Sequence, residues 1–102
     1  MRLVVIGLSH RTAPIELRER FAKHTKELPV ALSEIVRLEF IEEACVVSTC
    51  NRVEFYVAGN TEAKTIARSL RTHIQSFSGL PPEGLEPHLY QHLGEQGLMH
   101  LF

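Results

Sequence analysis

Hydrophobic and polar positions change period several times along the chain, and each change marks an element. Leu3-Val4-Val5-Ile6-Gly7-Leu8 is a continuous apolar run with β-branched residues, the length of a buried strand. Ser9 to Pro14 reads as a loop, with Thr12 or Ala13 at a helix entrance and Pro14 at the first helical position. Glu16 to Lys23 follows as a short, heavily charged helix. Leu28, Ala31, Leu32, Ile35 and Leu38 fall on one face of a second helical segment. Glu42 to Thr49 is strand-like around Cys45-Val46-Val47. Val53 to Val57 alternates and is aromatic and β-branched, as a strand with one buried face requires. Cys50-Asn51-Arg52 is short enough to join those two strands as a hairpin, with Asn tolerating positive φ there.

Gly59-Asn60-Thr61 stops that strand and is expected to cap the next helix. Ala63, Ile66, Ala67, Leu70, Ile74 and Phe77 repeat at helical spacing and form the clearest amphipathic stripe in the chain. Ser78 to Gly84 breaks it with Gly and Pro and is expected to be a loop. His88 to Leu93 alternates weakly and reads as a last strand, and a helical pattern starts at Glu95. The order βαββαβ predicts an α+β class fold, a ferredoxin-like sandwich with an antiparallel sheet and its helices on one face.

Composition narrows the picture. The chain has 102 residues, 44% apolar and 23% charged, which fits one domain spanning 1–102 and excludes a disordered polymer. No apolar run approaches the ~18 residues that cross a bilayer, so no membrane partner is expected. A net charge of −1 argues against a general nucleic-acid-binding domain. The charge is uneven, with six Lys or Arg against two Glu in residues 1–26 and two against six in residues 27–54. The basic stretch from Arg11 to Lys26 is either a solvated helix face or a contact for an RNA backbone. Cys45 and Cys50 are five apart, which sets them on opposite faces of a continuous strand; both read as thiols of a reducing cytoplasm. The chain stops at His100-Leu101-Phe102 without a cap and is expected to be a fragment of a longer protein.

The sharpest candidate chemistry is Ser48-Thr49-Cys50-Asn51-Arg52-Val53-Glu54. A thiol attacks only as its thiolate, and a nearby cation lowers a free cysteine's pKa of about 8.5. Arg52 stands two residues away, placed either to do this or to grip a substrate carboxylate through its planar fork. A nucleophile, a positive charge and small polar donors are what covalent catalysis by sulfur requires. An inert buried thiol is the competing reading of Cys50, and of Cys45 inside its apolar run even more so. Six histidines are scattered without a Cys-x-x-Cys or His-Glu-x-x-His pattern, so no metal is expected. His88 and His92 read as rim residues, and His73 as solvated on the polar side of its helix. Gly7-Leu8-Ser9-His10 follows a strand but lacks a dinucleotide-binding glycine pattern.

Three segments together resemble the start of glutamyl-tRNA reductase: Gly7 to Glu19, Ser48 to Tyr56, and Leu98 to Phe102 preceded by Leu89-Tyr90. The Ser-Thr-Cys-Asn-Arg string carries most of the specificity. The resemblance implies that Cys50 attacks the ester of glutamyl-tRNA to form a thioester, which NADPH then reduces to glutamate-1-semialdehyde for tetrapyrrole biosynthesis. It implies a substrate-binding loop of Thr49, Cys50, Asn51 and Arg52, with Arg52 on the glutamate carboxylate. It makes His100 an activity-supporting residue near the sulfur, and Ser9 and His10 structural support for the pocket. NADPH binding and dimerisation belong to domains expected beyond this chain. The intact protein is then a homodimer, with glutamate-1-semialdehyde aminomutase as a downstream partner. A non-covalent binding domain and a thiol redox sensor are the alternatives from other classes.

Overall fold

A computed structural model describes residues 1–94. In chain order these form β1 (Arg2–Ser9), α1 (Ile15–His24), α2 (Leu28–Val36), β2 (Glu43–Ser48), β3 (Arg52–Gly59) and α3 (Ala63–Ser78). A one-turn helix α4 (Pro82–Leu85), a 3-10 turn at Glu86–His88 and β4 (Tyr90–Leu93) complete them. The strands pair in the order β2-β3-β1-β4, every pair antiparallel. This is the expected ferredoxin-like α+β sandwich, with α1 and α2 together occupying the first crossover and α3 the second.

Side chains alternate along a strand, so Val4, Ile6, Leu8, Val53, Phe55 and Val57 share one sheet face. Leu17 and Phe21 of α1, Ile35 of α2, and Ile66, Leu70 and Ile74 of α3 close over that face. Phe21 meets Phe77 edge-on at 5.0 Å between centroids, and truncating a fully buried ring of this kind to Ala costs ~3–5 kcal/mol. The α3 stripe is buried as its spacing predicts. The helix ends at Gly79, whose φ of 74° is the left-handed conformation a terminating glycine supplies. Arg20 Nη1 donates to the Ser78 carbonyl at 2.6 Å, setting a cation on the negative end of α3.

Several local expectations are corrected. Ser78–Gly84 is not loop throughout: Pro81 and Pro82, with φ fixed by their rings, start α4 where Pro and Gly suggested only a break. Pro14 is the N-cap of α1 rather than its first helical residue. The N-cap of α3 is Glu62; Asn60 instead donates its side-chain amide to Glu42 at 2.9 Å. His88 belongs to the 3-10 turn, so the last strand starts two residues later. The helical pattern from Glu95 and His100 lie outside the described residues.

The second sheet face holds Val5, Gly7, Glu54 and Tyr56, and Glu54 is fully buried there. A Cβ on Gly7 would stand 2.7 Å from the Val53 carbonyl oxygen and 2.8 Å from Glu54 Cγ. Gly7 therefore leaves the gap on this face that the Glu54 side chain fills. Gly7→Ala is expected to destabilise the fold by about 1–3 kcal/mol in urea unfolding, through overpacking. An unchanged midpoint would show that Glu54 does not need that gap.

Candidate active site

The last pair of the β1–β3 ladder, Ser9 opposite Arg52, sets two loops side by side. The first loop is wired internally. Thr12 Oγ1 accepts the Ser9 N–H at 2.9 Å, the N–H groups of Thr12 and Ala13 donate to the Ser9 carbonyl, and Ser9 Oγ accepts from Arg11 N–H. Its exit is tied to the far end of the chain by His88 Nδ1, which donates to the Thr12 carbonyl at 2.9 Å and so carries the ring proton there.

The second loop is Thr49-Cys50-Asn51. Thr49 N–H donates to the Arg52 carbonyl at 2.8 Å, and Thr49 Oγ1 accepts the N–H groups of Asn51 and Arg52, both at 3.2 Å. That hydroxyl closes the turn without a left-handed residue. Asn51 keeps a negative φ, contrary to the hairpin geometry expected from sequence; Phe40 is the non-glycine with positive φ among the described residues. Two contacts from outside brace the turn. His10 N–H donates to the Asn51 carbonyl at 2.7 Å, and Arg18 Nη1 donates to the Cys50 carbonyl at 3.2 Å. Arg18 is itself oriented by its Nε on the Ala13 carbonyl. The Cys50 thiol is exposed at the tip.

Beneath the turn lies a buried polar cluster. Glu54 accepts from Tyr56 OH at 2.9 Å and from Tyr90 OH at 2.5 Å, and Arg52 Nε stands 3.5 Å from its Oε1. A buried carboxylate left unpaired is costly by several kcal/mol, and these phenols and the guanidinium offset that cost. Burial, then the hydrogen bond to Glu54, push the Tyr56 phenol up to about 12 and raise Tyr90 in the same way. Arg52 is 39% exposed, and its pairing with Glu54 runs through Nε.

Thr49, Cys50, Asn51 and Arg52 are thus brought together, with Ser9 and His10 as the loop that supports them. Arg18 and the Glu54–Tyr56–Tyr90 cluster escaped the sequence reading. The even spacing of 54 and 56 in an alternating strand was the available signal, since it sets a carboxylate and a phenol on one face. Cys45 is exposed on edge strand β2, not buried as its apolar run suggested. His73 is not solvated: its side chain is only 13% exposed, because α1 and α2 cover more of α3 than its apolar stripe. No helix among the described residues is long and apolar enough to cross a membrane.

Fold and site together define a ferredoxin-like domain that presents one cysteine on a braced turn at the end of its sheet. Residues 6–102 match the family model described as glutamyl-tRNAGlu reductase, N-terminal domain, and the chain belongs to that family. It is 43% identical over 102 residues to a glutamyl-tRNA reductase of Geobacter sulfurreducens and 39% identical to one of Paenibacillus macerans. Each alignment covers 100% of this chain and 23% of the relative, so the chain spans about a quarter of their length.

The raised phenol gives a pH signature. The stability that Tyr56 contributes is fully present below pH ~10, the unfolded-state value, and is lost as pH rises toward about 12. Thermal unfolding across that window should fall more steeply for the unsubstituted chain than for Tyr56→Phe. At neutral pH the variant should be less stable by about 1–3 kcal/mol, because Glu54 loses a donor. Parallel alkaline profiles for the two chains would contradict the Tyr56–Glu54 bond.

Proposed function

We propose that residues 1–102 form the N-terminal catalytic part of an NADPH-dependent glutamyl-tRNA reductase of tetrapyrrole biosynthesis, with Cys50 as its nucleophile. The observation that carries this reading is the exposed thiol on a turn held from both sides by His10 and Arg18. A rigid backbone fixes where the sulfur meets an acyl carbon, and positioning is a large part of catalysis.

In the acyl transfer, the Cys50 thiolate adds to the carbonyl carbon of the glutamyl ester. The tetrahedral intermediate collapses by breaking the bond to the tRNA ribose oxygen, which leaves and takes up a proton, and glutamate stays as a thioester on sulfur. A thioester has less resonance stabilisation than an oxygen ester and accepts hydride more readily. Arg52 binds the substrate's free carboxylate through its planar fork; its contact with Glu54 runs through Nε, and the side chain is 39% exposed. Thr49 and Asn51 complete the substrate-binding loop. His100 is the supporting residue near the sulfur on family grounds alone. Arg11 on the first loop, Lys23 near the end of α1 and Lys26 just past it add positive charge, the two lysines beside Ser48, suited to a polyanionic tRNA.

NADPH, the family's reductant, would supply hydride for reduction of the thioester to glutamate-1-semialdehyde. The residues described here do not fit it: a Cβ on Gly7 would meet β3 rather than the open space a phosphate cradle needs. The reductant is held elsewhere in the intact protein, which on this reading is a cytoplasmic homodimer that passes its aldehyde to glutamate-1-semialdehyde aminomutase.

Alkylation with limiting reagent tests the assignment. Both thiols are exposed, so both should be modified, and glutamyl-tRNA should protect Cys50 alone. In the intact reductase Cys50→Ser should lower semialdehyde formation by about 10³-fold or more, as loss of a nucleophile does, and Cys45→Ser should leave it unchanged. Equal protection of the two cysteines, or normal turnover by Cys50→Ser, would refute the role. Substrate-independent oxidation of Cys50 with no protection would favour a redox sensor.

A further inference from the structure

Three helices converge on a second cluster that plays no part in the acyl transfer. His24 closes α1, Glu34 lies on α2 and His73 on α3. His24 Nε2 stands 3.5 Å from Glu34 Oε2, and His73 Nε2 stands 3.8 Å from the same oxygen. One ligand-competent atom from each residue lies within 4.8 Å of the others. Both Nε2 atoms are buried, and they are the two buried side-chain polar atoms without a hydrogen-bond partner among the described residues. Buried polar atoms left without partners are rare, and a bound ion is one standard cause.

The rings are held before any ligand arrives. His24 stacks on Phe77 with centroids 3.8 Å apart and planes 6° apart. His73 meets the same phenyl ring at 5.6 Å and His24 at 5.9 Å. Burial, more than any neighbour, pushes the His73 pKa down; Glu34 pulls it up and His24 adds to the lowering. A neutral imidazole offers a lone pair, which is the form a metal binds.

We propose that His24, Glu34 and His73 bind one divalent transition-metal ion of the zinc type, through two imidazole Nε2 atoms and a carboxylate oxygen. A fourth position is left to water. Nitrogen-rich donor sets suit zinc, whereas magnesium and calcium take oxygen. Ligand atoms ~2.0–2.1 Å from a tetrahedral zinc lie ~3.3 Å from one another, a few tenths of an ångström closer than the two nitrogen–oxygen separations here; the two imidazole nitrogens lie within 4.8 Å of each other, so the rings also draw together on binding. Glu34 is 45% exposed, which leaves its carboxylate room to shorten both nitrogen–oxygen distances. The three ligands come from separate helices, so the ion would cross-link the helical layer. Their separation along the chain also explains why no short motif announced them, and it sets this site against the sequence expectation of no metal.

Titration of the full chain with Co²⁺ tests the site. Expected is one equivalent bound with visible d–d bands and no thiolate-to-cobalt charge transfer, displaced by Zn²⁺. Zinc at ~100 times its Kd should raise Tm by roughly 10 °C or more. Glu34→Gln and His73→Gln should each weaken binding at least about tenfold, while Cys50→Ser should not. Circular dichroism of the metal-free variants checks folding, and if His73→Gln misfolds, the exposed Glu34→Gln decides. Absence of saturable binding would overturn the proposal. So would binding that survives Glu34→Gln and is lost with the cysteines.

Discussion

The antiparallel pairing of β1 with β3 is the constraint on which the rest depends. Its register runs from Arg2 opposite Gly59 to Ser9 opposite Arg52, and its end sets the Ser9–Pro14 loop against the Thr49–Asn51 turn. A shift of one residue would exchange the two faces of β3. Glu54 would then face the apolar helical layer and Phe55 the polar cluster. The correct register buries the phenyl ring among the helices and the carboxylate between two tyrosines. The hydrophobic pattern and the polar cluster thus select the same alignment, and that alignment builds the braced turn.

The turn gains rigidity without help from the thiol. Thr49 supplies the internal closure, while His10 holds the Asn51 carbonyl and Arg18 the Cys50 carbonyl. Cys50 is left with an exposed side chain on a fixed backbone. Below it, Arg52 reaches toward buried Glu54, so the orientation of the candidate carboxylate-binding residue depends on a cluster inside the fold. On the proposed reading, Glu54, Tyr56 and Tyr90 serve both the stability of the fold and the placement of Arg52.

Much of the architecture was legible from the sequence. The α3 stripe, the alternation of Val53 to Val57 and the apolar run at Leu3 to Leu8 are strong periodic signals, and all three became the elements they indicated, except that β3 is buried on both faces and not on one. The failures have physical causes. Cys45 sits in an apolar run, yet β2 is an edge strand, and an edge does not bury its residues as a central strand does. His73 lies off the α3 stripe, yet a layer of three helices covers flanks that a two-helix layer would leave wet. Pro81 and Pro82 stop α3 and also start a new helical turn, and only the first of these is obvious from composition. Arg18 belongs to a charged helix face, and nothing in its spacing reveals that it reaches a carbonyl 32 residues away.

The central claim is that one sulfur on this turn accepts the acyl group of the substrate. The most direct measurement is acid-quench trapping in the intact reductase, with isotopically labelled glutamyl-tRNA and no reductant, followed by peptide mass spectrometry. Expected is close to one label per active site, on the peptide bearing Cys50 and released by hydroxylamine as a thioester should be. Label on the Cys45 peptide, or tRNA discharge with no protein-bound label, would contradict the account.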